Sequence, residues 1–222
     1  TAISDYRKIG DLPEALLNYL LLLSWAPGDN RELISVNEAG KLFNLKNVNK
    51  TQATFDLKKL DWINNQYLKG ADPEKLADEL IPLLEARHYI NRDNFDRDYL
   101  LVLVKLFQAR LSRLNDFLDW ADFFFLDEPV MEEAAKEKYL AQDLSQEFNL
   151  FAQRLDNLSS FEIINIEGSF RELTAELGIE AKKLIHPIRV ALTGKTIGPG
   201  LFEVIYYLGK ERSRRRLLKW AK

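Results

Sequence analysis

Apolar residues recur along this chain at intervals of three and four, and alternation in twos is weak throughout. That period predicts amphipathic helices rather than strands. Pro13 stands at a favourable first-turn position, with Leu16, Leu17, Leu20 and Leu23 following at core spacing until Pro27-Gly28-Asp29 ends the element. Ser35 and Glu38 have the spacing of a capping box. Asp56 is placed to cap a helix in which Leu57, Leu60, Ile63 (or Asn64) and Tyr67 share a face up to Gly70. Asp72-Pro73-Glu74 opens another, with Leu76, Leu80, Leu83 and Leu84 inward.

A longer amphipathic stretch follows Asp96, carrying Tyr99, Leu103, Leu106, Phe107, Arg110 and Leu114 close to one face. Phe123, Phe124 and Phe125 end it, and Pro129 marks a break. Further helices are expected over 144–155 and 161–177, with Gly178 as the residue that closes the latter. No Gly-rich phosphate loop follows a strand, and no repeat of fixed period is visible. The fold class expected is all-α. Coarse boundaries near Gly70-Ala71-Asp72 and Asp127-Glu128-Pro129 divide the chain into 1–71, 72–128 and 129–222.

With 222 residues, 46% hydrophobic and 29% charged, the chain has the composition of an ordinary soluble protein with a sizeable core. It contains no cysteine, which excludes disulfides, thiolate zinc sites and cysteine nucleophiles. His88 and His186 are the two histidines and lie far apart, so no metal site is expected. The apolar run over 15–26 is too short to span a bilayer and contains Asn18 and Ser24. Asp5, Asp11 and Glu14 precede it, unlike the basic flank of a secretion signal, so it reads as a buried helix and a cytoplasmic location is expected. The chain opens on Thr1 without methionine, and a fragment of something larger is expected.

Charge changes the picture. The formal net charge is −3, yet residues 181–222 carry eleven Lys and Arg against Glu203 and Glu211 alone, leaving the remainder strongly acidic. Such asymmetry points to a nucleic-acid or membrane contact, or to a merely solvated basic tail. Within that segment the run PIRVALTGKTIGPGLFE (187–203) sets a Gly-Pro-Gly turn between two helices, and the second closes in Lys210, Arg212, Arg214, Arg215 and Arg216. Backbone N–H groups, apolar side chains and guanidinium groups in one small region suit an RNA loop better than a small metabolite.

Three segments in register then carry a resemblance. YRKIGDLPEALLNYL (6–20) with SWAPGD (24–29), ATFDLKKLDWINNQYL (53–68) and the C-terminal run resemble the part of bacterial-type glutamyl-tRNA synthetases that lies beyond the catalytic domain. The match spans nearly the whole chain. It implies a stem-contact helical domain followed by a two-part helical anticodon-binding domain, and a parent that is glutamate–tRNA ligase. The HIGH-type signature and the KMSKS-type lysines of that family are absent. The resemblance therefore implies no catalytic residue and no cofactor in this chain, ATP and Mg2+ being expected for the parent's catalytic domain. The partners implied are the tRNA for glutamate and that catalytic domain, with no membrane and a monomeric state.

The resemblance also assigns residues. Lys59, Trp62, Asn64 and Tyr67 fall in the stem-contact element at the inner corner of the tRNA, where Lys59 can reach a phosphate and Trp62 offers an aromatic plane. Trp62 and Tyr67 can alternatively be core aromatics. Arg110 is similar to the family arginine that reads the third anticodon base. A guanidinium fork can serve a cytosine edge in a way an ammonium cannot, and members lacking the arginine tend to accept the glutamine tRNA as well. Arg113, in the same segment, can instead be the equivalent of that arginine, and Arg110 can also be read as a plain surface arginine. Arg189, Pro199, Leu201 and Phe202 carry over to the anticodon, with Gly198 in place of the residue with a side chain that some relatives have there. The alternative puts Leu201 and Phe202 in the core. The basic cluster 210–216 supplies a field that attracts RNA, some of its members being simply solvated. A helical protein-interaction scaffold without RNA specificity is the competing reading. A hydrolase built on Asp127 and Glu128 has nothing to orient its carboxylates.

Overall fold

The computed structural model describes residues 2–49 and 54–221, so Ala53 at the head of the second segment and Lys222 lie outside the described residues. Among these there is no strand, and the chain falls into two compact units, Thr1–Asp119 and Trp120–Lys222.

The first unit contains α1 (Ile3–Ile9), α2 (Pro13–Ser24), α3 (Val36–Leu42), α4 (Leu57–Gly70), α5 (Pro73–Ala86), α6 (Arg97–Phe107) and most of α7 (Asp116–Trp120). The expected caps form: Ser35 and Glu38 cap each other's backbone, Asp56 accepts from the N–H groups of Lys58 and Lys59, and Asp72 accepts from that of Glu74. α2 packs on α4, and α5 on α6. Leu60, Ile63, Leu80, Leu84, Leu103 and Phe107 are buried between these elements.

Two expectations shift here. α2 buries Ala15, Leu16, Asn18 and Tyr19, while Leu17 and Leu20 stay partly exposed. The reason is Asn18, whose Nδ2 donates to the Glu32 carbonyl (2.9 Å) and whose Oδ1 accepts from the Ile34 N–H (2.8 Å). Those bonds turn the face of α2 toward the loop that precedes α3. The amphipathic stretch after Asp96 also stops at Phe107 rather than running to Leu114, giving way to a 3-10 turn at Gln108–Arg110. Gln108 folds inward there, and its amide donates to the carbonyls of Leu68, Lys69 and Ala71 (2.9–3.2 Å). That amide satisfies carbonyls left open at the end of α4. This packing joins residues on either side of Gly70-Ala71-Asp72, within the first unit.

The second unit holds α8 (Glu133–Tyr139), α9 (Ser145–Asn157), α10 (Ile163–Glu176), α11 (Ala181–Thr193), α12 (Leu201–Leu208) and α13 (Lys210–Lys219). α13 packs on α9 and α11, and α10 on α12. Phe148, Phe151, Phe170, Ile188, Val204, Ile205 and Leu217 are buried with the Phe123–Phe124 pair. Gly209, at φ +86°, splits what reads as one C-terminal helix into α12 and α13. It thereby swings the arginine-rich segment against α9 and α11.

Candidate nucleic-acid interface

On α4 the buried face is Leu60, Ile63, Asn64 and Leu68, and Trp62 stands on the opposite side, 44% exposed. Lys59 is half-buried, its ammonium 2.8 Å from Glu32. Asn64 is wholly buried: its Oδ1 accepts from the Leu12 N–H (2.8 Å) and its Nδ2 donates to the Ser112 carbonyl (2.6 Å). The structure therefore corrects the expectation for Asn64, which ties α4 to two loops and has no edge left for RNA. Tyr67 is intermediate in exposure. Its hydroxyl lies 2.8 Å from the Ile34 carbonyl and 2.9 Å from Asn18 Oδ1. Burial, then the charges of Glu14 and Glu38, hold that phenol above its ordinary pKa, so it stays a neutral donor.

Arg110 is exposed at the end of the 3-10 turn, its Nη1 donating to the Leu106 carbonyl (2.9 Å). Arg113 is engaged instead, 3.3 Å from Asp11 and paired with Asp61. Of the two neighbouring arginines, Arg110 is the more exposed.

In the second unit the turn from Lys195 to Gly200 connects α11 to α12. Gly194, at φ +75°, ends α11 in a conformation glycine favours, and a Cβ there would fall 2.0 Å from the Val130 carbonyl oxygen. Arg189 is only 9% exposed and reaches under the turn, its Nη1 donating to the Pro199 carbonyl (2.7 Å). Pro199 and Leu201 are buried as well, so these three residues shape the turn from below instead of forming its outer surface. A Cβ on Gly198 would lie 3.3 Å from Arg189 Nη1, a close contact with the end of a side chain. Phe202 is half-buried, its ring 5.4 Å from that of Phe170. Lys195 is paired with Asp122 (3.1 Å), and Thr193 Oγ1 bonds the backbone of Lys195. At the tip, Ile197 is 71% exposed. Sequence reasoning passed over Ile197, although an apolar residue beside Gly198-Pro199-Gly200 is the signal that marks it.

The basic cluster resolves into distinct roles. Arg216 has no solvent exposure, and its guanidinium donates to the carbonyls of Leu192, Phe123, Leu126 and Asp127 (2.6–3.3 Å). Burial, with Arg212 adding repulsion, pushes its pKa down to about 10. Arg216 is thus a core strut, and the expectation that it attracts RNA is corrected. Arg212 donates to the Phe124 carbonyl, Arg214 is paired with Asp156 (2.6 Å), and Arg215 sits 3.4 Å from Asp127. Lys210 donates to the carbonyls of Asp156 and Leu158.

Among the described residues no helix is long and apolar enough to cross a membrane, and no group of three or more His, Asp or Glu side chains converges as a metal site.

Comparison with known proteins supplies the context for this geometry. Residues 1–62 match the model described as "tRNA synthetases class I (E and Q), catalytic domain", which thus extends over the segment read above as stem-contact. The chain is 36% identical over 218 residues to glutamate–tRNA ligase 1 of Caldanaerobacter subterraneus subsp. tengcongensis, covering 98% of this chain and 45% of that protein. It is 36% identical over 220 residues to glutamate–tRNA ligase 2 of Thermoanaerobacter pseudethanolicus, covering 99% and 46%. A crystal structure of a glutamate tRNA ligase from Elizabethkingia meningosepticum superposes with a TM-score of 0.85 at 28% identity, over 97% of this chain and 42% of that one. The chain thus spans somewhat under half the length of these relatives and corresponds to their C-terminal part. Over residues 75–221 it matches the model described as "Anticodon binding domain", and the chain belongs to that family.

Proposed function

We propose that this chain is the tRNA-binding portion of a glutamate–tRNA ligase, and that it positions the tRNA for glutamate on a catalytic domain that uses ATP and Mg2+. The observation that carries this reading is the alignment of nearly its whole length with the C-terminal part of glutamate–tRNA ligases, anticodon-binding family included. The exposed Trp62 and Arg110 support it, as does the turn at 195–200 with Ile197 at its tip. In this reading Arg110 reads the third anticodon base through its planar fork. Phe202 and the turn meet the other anticodon bases, while Arg189, Pro199 and Leu201 hold that turn in shape. The chain by itself activates no glutamate, since the HIGH-type and KMSKS-type groups are absent from it.

The test is a titration of the chain with glutamate tRNA, glutamine tRNA and an unrelated tRNA at two salt concentrations. Tightest binding to glutamate tRNA, weakening as salt rises, is the expected result. Arg110→Gln should reduce discrimination at the third anticodon base by about tenfold or more, within the roughly 1–3 kcal/mol of one paired base edge. Equal binding of all three tRNAs overturns the specificity. Retained helicity with no RNA affinity at low salt would favour a protein-interaction scaffold.

A further inference from the structure

Arg110 stands on a 3-10 turn of three residues, Gln108–Arg110. Such turns are short and their internal hydrogen bonds poorly aligned, so one that carries a functional side chain needs support from outside. Here α4 gives that support through two consecutive side-chain amides. Asn64 Nδ2 donates to the Ser112 carbonyl (2.6 Å), just past the turn. Asn65 Nδ2 donates to the carbonyls of Leu111 (2.7 Å) and Ala109 (3.3 Å), the residues on either side of Arg110. A primary amide has two N–H groups on one nitrogen, so a single side chain serves both carbonyls. The Asn65 Oδ1 accepts from Gln66 Nε2 (3.3 Å), which suits the same orientation of its amide.

The stretch around the turn is fastened separately. Gln108 holds its start to the end of α4, and Arg113 is paired beyond it with Asp11 and Asp61. Those contacts fix where the chain enters and leaves. The peptide units that flank Arg110 are left to Asn65. Arg110 has its side chain at the surface, Nη1 donating to the Leu106 carbonyl (2.9 Å), so its reach is set by the backbone it springs from.

We propose that Asn65 is a positioning residue for the third-base readout, holding the backbone at Arg110 so that the guanidinium fork meets one base edge in one orientation. Asn65 itself touches no RNA in this role. The proposal rests on the reading of Arg110 given above and adds the group that makes its discrimination sharp. The chemistry required is two N–H donors on a short side chain. Alanine and leucine have none, and aspartate would set an acceptor against two carbonyl oxygens.

The experiment measures the affinity of the 222-residue chain for glutamate tRNA and for the same tRNA changed at the third anticodon base. Wild type, Asn65→Ala, Arg110→Gln and the double variant are compared. Thermal melting checks the fold, and Asn65→Leu, which keeps most of the side-chain volume, repeats the test without a cavity. Losing the clamp should lower the ratio of the two affinities about fivefold, on the scale of one hydrogen bond. The slope of log affinity against log salt should stay as in wild type, since no phosphate contact is removed. In the Arg110→Gln background, Asn65→Ala should lower the ratio no further, because the group it positions is gone. If Asn65→Ala and Asn65→Leu keep the wild-type ratio, or Asn65→Ala lowers it by the same factor with and without Arg110, the proposal falls while the tRNA reading stands. If wild type prefers neither tRNA, or Arg110→Gln keeps the preference, the reading of Arg110 falls and the positioning role with it.

Discussion

Residue identity and residue role diverge most where a polar group is buried. Asp11 is an instance: its side chain is fully inside, one oxygen lies 3.3 Å from Arg113 Nε, and the other, Oδ2, has no hydrogen-bond partner. Burial raises its pKa above the ordinary carboxylate value, and Arg113 offsets this only in part. A carboxyl raised in this way binds its proton more tightly folded than unfolded. Its contribution is therefore most favourable below about pH 3.8 and is lost as pH rises through the raised value. The stability of wild type minus that of Asp11→Asn should accordingly be smaller at pH 7 than at pH 4 in urea unfolding. A difference that grows with pH would mean that Arg113 outweighs burial. Asp11 looks, in sequence, like any acidic residue in a loop before a helix. Asn64, at the edge of the apolar face of α4, likewise shows no local sign of its partners. Both acquire their roles from loops about fifty to a hundred positions away, at Ser112 and Arg113, and no local pattern announces such partners.

At the level of elements the sequence was far more legible, because caps and breaks are local. The Ser35–Glu38 box, Asp56, Asp72 with Pro73, and Gly178 all act within a few residues of themselves. The end of α6 was not legible, since it depends on Gln108 reaching the end of α4. Gly209 was missed for a related reason: one glycine in an otherwise helical pattern is tolerated often enough to be read through. Gly194 shows how an element boundary can depend on a contact far along the chain. Both Gly178 and Gly194 have positive φ, but only Gly194 has backbone pressed against the missing Cβ. Gly178→Ala should cost about 1 kcal/mol, from the left-handed conformation alone. Gly194→Ala should cost clearly more, and should also weaken binding of an anticodon stem-loop, because Val130 must move or the turn must. Equal unfolding midpoints for the two variants would show that the contact with Val130 gives way freely.

For the molecule as a whole, the charge asymmetry of the C-terminus is largely met by partners within its own unit. The excess of basic over acidic residues in 181–222 is real, but much of it is spent inside the second unit, on Asp156, Asp127, Asp122 and backbone carbonyls. A count along the chain sees valence and not partners. The net positive field at this end of the chain is correspondingly weaker than the tally suggests. Replacing Arg214 and Arg215 together by alanine should therefore change the salt slope of tRNA binding by less than about 0.7, the value of one phosphate contact. A change of two contacts would restore the cluster as the main electrostatic surface.

Arg216 has one more consequence, for how this region tolerates change. Its planar fork is shared between the end of α11 and the turn over 123–127, so two separate parts of the chain constrain a single position. Lysine there would keep the charge and lose the reach to several acceptors at once. In a population of variants selected only for folded protein, position 216 should thus behave like the buried Leu217 beside it, while the exposed Arg215 drifts freely. An alignment column of unchanging arginine at 216 would then record the upkeep of a core, and reading it as a mark of RNA contact would be a mistake.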